Sequence, residues 1–401
     1  MRAYRAADEE ALRARSLLKD WAGQGFLTEA QYRHMEQETA CDLRRTNIFL
    51  RIVLFFFTLV IVAAVVALFF TTFLSRTSWQ NQGPFFLIFA ALSYAGAEFF
   101  VSGARFYRHG VEEALTACSV GFLCMGFEAL LYSGRAQTQP YRLETLVPTA
   151  GAILSLWIWH RFGLPYAFLA AMLFVPWIPS YWTSSQPAQH LIVAAIYSAG
   201  LIAMFAIRAP QRFTYLDDGF SIAEALLWVG IYLAINLQVP LLDPRGLWLG
   251  IARSPAEFPK PFYWTTWVLI WFLPPAVLTR GLRGKDRWVI AAGLVAAILT
   301  LVTNKPYLGW PRHTWDPMLL GSVLIAAVLY IRRWLAGGEG GIRRGFTAQR
   351  LSGKDRVWMS VGTTALGFVS PEQITQTSQP ANPEFRFGRG DSGGGGASSD
   401  F

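Results

Sequence analysis

The sequence predicts an all-α protein: a polytopic transmembrane bundle of about ten helices, with a small N-terminal cytoplasmic helical hairpin and a disordered, Gly-rich C-terminal tail. Three observations predict it. Hydrophobic residues make up 53% of the 401 positions and charged residues only 15%, well under the share that a water-facing domain carries. The hydrophobic residues fall in runs of about 20 with short polar or basic connections between them, and about 20 apolar residues cross a bilayer core. One run, Ile48 to Leu74, holds a single charge, Arg51, and the rest of the chain is organised around it.

The formal charge of +9 gathers at the two ends and in a few loops. That placement reads as orientation in the membrane and contact with membrane lipids; no nucleic-acid-binding signature accompanies it, so no nucleic acid is expected as a partner. Cys41, Cys118 and Cys124 lack a C-x-x-C spacing, which predicts neither a disulfide framework nor a structural zinc. The first apolar run begins only at Ile48 and lacks a small-residue cleavage pattern, so it is expected to stay in place as an anchor.

Residues 1–47 mix acids and bases around a sparse apolar set: Leu12, Leu17, Leu18 and Trp21, then Phe26, Leu27, Tyr32 and Met35. These spacings suit two short amphipathic helices. Gly23-Gln24-Gly25 ends the first, and Thr28 with Gln31 forms a capping box that starts the second. Such a hairpin buries too little to stand alone, so it should pack on the bundle or on a copy of itself. The stretches Leu17-Leu18-Lys19-Asp20-Trp21, Gly25-Phe26-Leu27-Thr28 and Gln31-Tyr32 resemble the N-terminal hairpin of an uncharacterised family of bacterial multi-span membrane proteins. The pattern there is Leu-x-x-Trp followed by Gly-aliphatic-Ser/Thr. The resemblance covers the hairpin, the first span and the Tyr107 to Leu115 connection, roughly the first third. It implies a polytopic bundle behind a cytoplasmic hairpin, and it carries no activity over.

Residues 48–336 form the predicted bundle. After the first span, further spans are expected at Pro84 to Gly103, Ala114 to Ser133, Leu143 to His160, Gly163 to Trp182, His190 to Arg208, Gly219 to Val239, Phe262 to Thr279, Trp288 to Thr303 and Asp316 to Leu335. The fourth carries Pro148, and in the fifth Pro176 and Pro179 could end the helix early or make it re-entrant. Lys and Arg near the span ends put both termini on the cytoplasmic side of an inner membrane, which requires an even number of spans. Residues 337–401 turn basic and then Gly/Ser-rich, ending in the Gly393 to Gly396 run. Arg343, Arg344, Arg350, Lys354 and Arg356 would hold this tail on anionic headgroups. Leu351 to Trp358 echoes Leu282 to Val289, but the apolar stretch after it, Val357 to Val369, is too short to cross.

No residue set with catalytic, cofactor-binding or metal-ligating spacing stands out. His34, His109, His160, His190 and His313 fall at hairpin or span-end positions, and none is paired. The candidate polar sites are the intramembrane acids Glu98, Glu128 and Glu224, because a charge in hydrocarbon persists only with a partner or a task. Glu98 and Glu128 share helix faces with small residues, which should turn them toward neighbouring helices. Each of the three lies about five residues, roughly 7 to 8 Å, from a span end, Glu98 and Glu224 on the cytoplasmic side and Glu128 on the other. Arg105, Arg208 and Arg280 are the expected partners of Glu98 and Glu224. The Trp264, Trp267 and Trp271 stripe reads as packing or interfacial belt. The leading functional expectation is a non-enzymatic scaffold or sensor with a protein partner, or self-association, through residues 1–47 and the tail. A transporter or flippase is the alternative, and a polyprenyl-linked glycan transferase using Arg245 and Arg253 the further one.

Overall fold

Hydrocarbon offers a backbone no water to bond to, so apolar runs of this length must satisfy their amides internally, as helices. The computed structural model describes residues 2–23, 26–44, 46–74, 77–131, 143–208, 216–239, 258–310, 313–338, 342–343 and 346–347. The chain divides into two units, Met1–Val323 and Leu324–Phe401.

In the first unit the hairpin forms as expected, from α1 (Ala6–Gly23) and α2 (Glu29–Glu38). The capping box is complete: Gln31 N donates to Thr28 Oγ1 at 3.3 Å, and Thr28 N donates to Gln31 Oε1 at 3.0 Å. Arg15 of α1 meets Glu36 of α2 at 3.7 Å.

The first membrane helix, α3 (Ile48–Phe69), is capped by Asn47 and ends in a π-helical turn, Phe70–Leu74. It has no buried residue, as suits a span that meets lipid around most of its circumference. α4 (Trp79–Ser102) and α5 (Val111–Leu131) pack tightly against each other where Gly83 crosses Gly126. A Cβ on Gly83 would stand 2.6 Å from Leu130 Cγ, and one on Gly126 2.6 Å from Leu87 Cδ2. Absent side chains are what allow these backbones to approach.

α6 (Leu146–Phe162), α7 (Pro165–Phe174) and α8 (Trp177–Trp182) follow. Then come α9 (Gln186–Arg208), α10 (Asp217–Ile235), α11 (Lys260–Gly284), α12 (Arg287–Tyr307) and α13 (Asp316–Ala336). Among the described residues, eight helices are long and apolar enough to cross a membrane: α3 with its π turn, α4, α5 and α9 to α13. Of the ten expected runs, the two that do not reach this length among the described residues are the proline-bearing ones. α6 has 17 residues, about 25 Å at 1.5 Å per residue against a core of about 30 Å. The next run breaks into α7 and α8 at Pro176, because a proline lacks the amide that the helix needs there.

α10 lies at the centre of the larger core: Phe220, Leu227 and Ile231 pack on Phe168 and Met172 of α7 and Tyr197 and Leu201 of α9. A second cluster joins Ala97 and Val101 of α4 to Ile158 and Phe162 of α6, and Tyr4, ahead of the hairpin, is buried in it. In the second unit, α13 runs on to Ala336, and Ile342–Arg343 pairs antiparallel with Phe346–Thr347. The echo segment and the short apolar stretch of the tail lie outside the described residues.

Candidate functional site

Consecutive antiparallel helices bring alternate ends to one face, and here those ends pair by charge. Arg51, in the first turn of α3, donates from Nε to Glu113 of α5 at 2.8 Å. Glu98, near the end of α4, accepts from Arg161 at the end of α6, at 2.7 and 3.2 Å, and from the Tyr94 hydroxyl at 3.2 Å. Arg105 pairs with Asp42. The expected Arg105 partner of Glu98 is thus replaced by Arg161, because the end of α6 meets α4 at Ala97 and Val101, next to Glu98.

The densest charges surround Arg208, the last residue of α9. Its Nε donates to Asp217 at 2.9 Å, Nη1 to Glu224 at 2.5 Å, and Nη2 meets Asp286 at 2.8 Å. Glu224, whose side chain is 1% exposed, also accepts from Arg280 Nε at 3.3 Å, so two of its expected partners are the ones it takes. Arg280 lies over the Phe205 ring at 4.6 Å, a cation–π contact. Asp286 caps α12 through Trp288 N and Val289 N and accepts from Ser221 Oγ at 2.5 Å. Burial alone would raise its pKa, but Ser221 and Arg208 outweigh burial and hold the carboxyl below the usual range. A cavity of about 100 Å³ opens among these side chains, lined also by Gly284 and Val289. Among the described residues two arginines face three carboxylates, 2 − 3 = −1, a formal charge of one negative.

A second buried polar cluster lies at the start of α5, where sequence reading offered no candidate polar site. Glu112 is 0% exposed; one oxygen accepts from His109 N at 2.6 Å and the other has no hydrogen-bond partner among the described residues. Tyr4 OH and His109 Nδ1 are likewise buried without one. Burial, then the Glu112 and Tyr107 charges, raise the Tyr4 pKa and keep its proton on. Burial and Arg44 lower the His109 pKa, so the ring is neutral at pH 7.

At the opposite ends α10 and α12 are joined by neutral groups, while Lys305 in the last turn of α12 pairs with Asp316 at the start of α13 at 2.5 Å. Asn236 Nδ2 donates to Tyr232 OH at 2.9 Å and Thr303 Oγ1 at 3.0 Å, and Tyr232 OH lies 2.9 Å from Thr300 Oγ1. Trp267 and Trp271, from the expected stripe, donate to Asn304 Oδ1 at 3.1 and 3.3 Å and so tie α11 to α12. The polar positions of α10 and α12 recur at helical spacing, a signal the sequence does contain but one that charge-based reading passes over.

Glu98 and Glu224 belong to separate networks. Glu128 turns outward: it is exposed and has no partner among the described residues, while Gly126 and Ala129 form the packed face of α5. Of the expected headgroup contacts only the backbone of Arg343 is described; Arg344, Arg350, Lys354 and Arg356 lie outside the described residues, as do Arg245 and Arg253. Among the described residues no group of three or more His, Cys, Asp or Glu is placed to hold a metal ion.

Fold and site together define an all-helical integral membrane protein with charge pairing along one face of its bundle. No family model, no curated protein and no solved structure matches the chain.

Proposed function

We propose that this chain is a non-enzymatic scaffold or sensor component of the inner membrane, with both termini cytoplasmic, and that it captures a protein partner or a second copy through its hairpin. The supporting observation is that the hairpin is stitched to the bundle at both ends while four of its apolar side chains stay uncovered. Ahead of α1, Ala3 N donates to Arg161 O at 2.8 Å. Beyond α2, Arg44 N donates to Arg105 O and Tyr107 N to Arg44 O, each at 3.0 Å. Between these anchors Leu17, Trp21, Phe26 and Met35 are exposed. An apolar patch fixed to a rigid base suits partner docking. Replacing Trp21 and Phe26 by Ser in the full chain should abolish cross-linking to its partner while leaving the bundle folded. An unchanged set of cross-linked species would overturn the reading.

A second reading, a transporter or flippase of a small or lipid-like solute, draws support from the interruption between α7 and α8, since broken helices line substrate sites in transporters. In that case Glu98→Gln or Glu224→Gln should abolish flux in vesicles, and full flux in both would remove the glutamates from it.

A further inference from the structure

A groove of about 640 Å³ lies between the segment ahead of α1 and the ends of α6, α9 and α10. Its walls include Trp159, Ile207 and Phe220, and its rim Arg2, Arg5 and His160. We infer that this groove binds the headgroup and upper acyl chains of an anionic phospholipid, one lipid per chain.

Charge, depth and shape argue for that occupant. Arg2 is balanced by Glu9 at 3.3 Å, whereas the exposed Arg5 guanidinium has no ionic partner among the described residues. One uncompensated cation matches the single negative charge of a phosphodiester, and Arg2 and His160 add donors for its oxygens. A zwitterionic headgroup would bring an ammonium to the same rim and be disfavoured. Arg161 and Arg208, one residue beyond His160 and Ile207, belong to the ion-paired face, so the groove opens where helix ends meet headgroups. A free anion has no use for an indole and a phenyl wall, while an acyl chain does. The volume lies within the roughly 300–1,000 Å³ of ordinary ligand sites. Basic pockets at helix ends are the usual form of lipid headgroup sites. The inference does not rest on partner capture by the hairpin: Trp21 and Phe26 are not in the groove lining.

The test is native mass spectrometry of the full chain in detergent, titrated with dioleoyl-phosphatidylglycerol or dioleoyl-phosphatidylcholine. One phosphatidylglycerol adduct should saturate at concentrations at least tenfold below any phosphatidylcholine adduct. Arg5→Glu should remove that preference, Arg5→Lys should keep most of it, and Phe220→Trp, which narrows the groove, should weaken both lipids. If Arg5→Glu disturbs the helical circular dichroism, Arg5→Gln decides instead, with a preference reduced at least threefold expected. Equal binding of the two lipids, or an adduct indifferent to both Arg5 and Phe220, would overturn the inference. So would displacement of the lipid by millimolar glycerol 3-phosphate, which would mean that the groove reads a free phosphate.

Discussion

Arg208 is the residue on which the charge arithmetic can be tested most sharply. Replacing it by Gln removes the one cation that touches Asp217, Glu224 and Asp286 together, and takes the cluster from −1 to −2. Its side chain is 13% exposed and that of Glu224 1%, so water cannot screen the loss fully. Breaking a buried pair costs about 3–5 kcal/mol. Arg280, with a side chain 43% exposed, still reaches Glu224 and limits the damage to the lower end, about 3 kcal/mol. Glu224→Gln acts the other way on charge: it takes the cluster from −1 to 0, and the amide oxygen can still accept from one arginine. Lost charge-assisted bonds and relieved repulsion then nearly offset, leaving about 1 kcal/mol or less.

The double variant restores −1. It should therefore be more stable than the sum of the two single changes by at least about 1 kcal/mol, as expected for directly contacting groups. The assay is thermal unfolding of the detergent-purified protein, followed by the loss of its monodisperse chromatographic peak. At about 2 °C per kcal/mol for a chain of this order of size, Arg208→Gln should lower the midpoint by about 6 °C and Glu224→Gln by about 2 °C or less. Equal losses from the two single variants, or strict additivity in the double, would refute the claim that Arg208 is the hub.

At the start of α5 the same logic separates neighbours: Glu113→Gln strands the Arg51 guanidinium and should cost about 3 kcal/mol, whereas Glu112→Gln removes a buried charge with one unpaired oxygen and should cost under about 1 kcal/mol, read as shifts in thermal midpoint. Gly110→Ala should destabilise more than any other change here, by over about 3 kcal/mol, since φ is +104° and the new Cβ would sit 2.2 Å from Arg51 O. The lowered His109 pKa means that the unfolded chain binds the proton more tightly, so its contribution is complete above the unfolded value of 6.5 and is lost as pH falls through the folded one. The midpoint should fall on acidification below about pH 6.5, and His109→Gln should flatten that slope.

Helix positions were legible because the demand that hydrocarbon makes on a backbone acts within each run: Ile48 to Phe69 forms a helix whatever packs beside it. The prolines that shorten α6 and divide the next run were legible for the same reason, though not how far the shortening would go. Pairing was legible only where position along the helix decided it. Glu224 lies seven residues beyond Asp217, two turns up α10, so any arginine ending the preceding helix meets both, and Arg208 does. Glu98 instead depended on which helix became its neighbour, and the contact of α4 with α6 selected Arg161 over the nearer Arg105.

Glu128 shows the limit of reading a face from its companions. Ala114 on the same stripe is fully buried, yet by Met125 and Glu128 that stripe has turned outward, because the Gly83 and Gly126 crossing fixes which side of α5 packs. Glu112 and His109 are neighbours at the start of α5, but Tyr4 comes from the other end of the sequence and joins them only because the N-terminal segment folds back onto α4 and α6. A buried polar group assembled from distant segments has no local period to betray it. The charges at helix ends are therefore the part of such a protein that sequence reading recovers, and the groups the N-terminus carries into the bundle are the part that requires the fold.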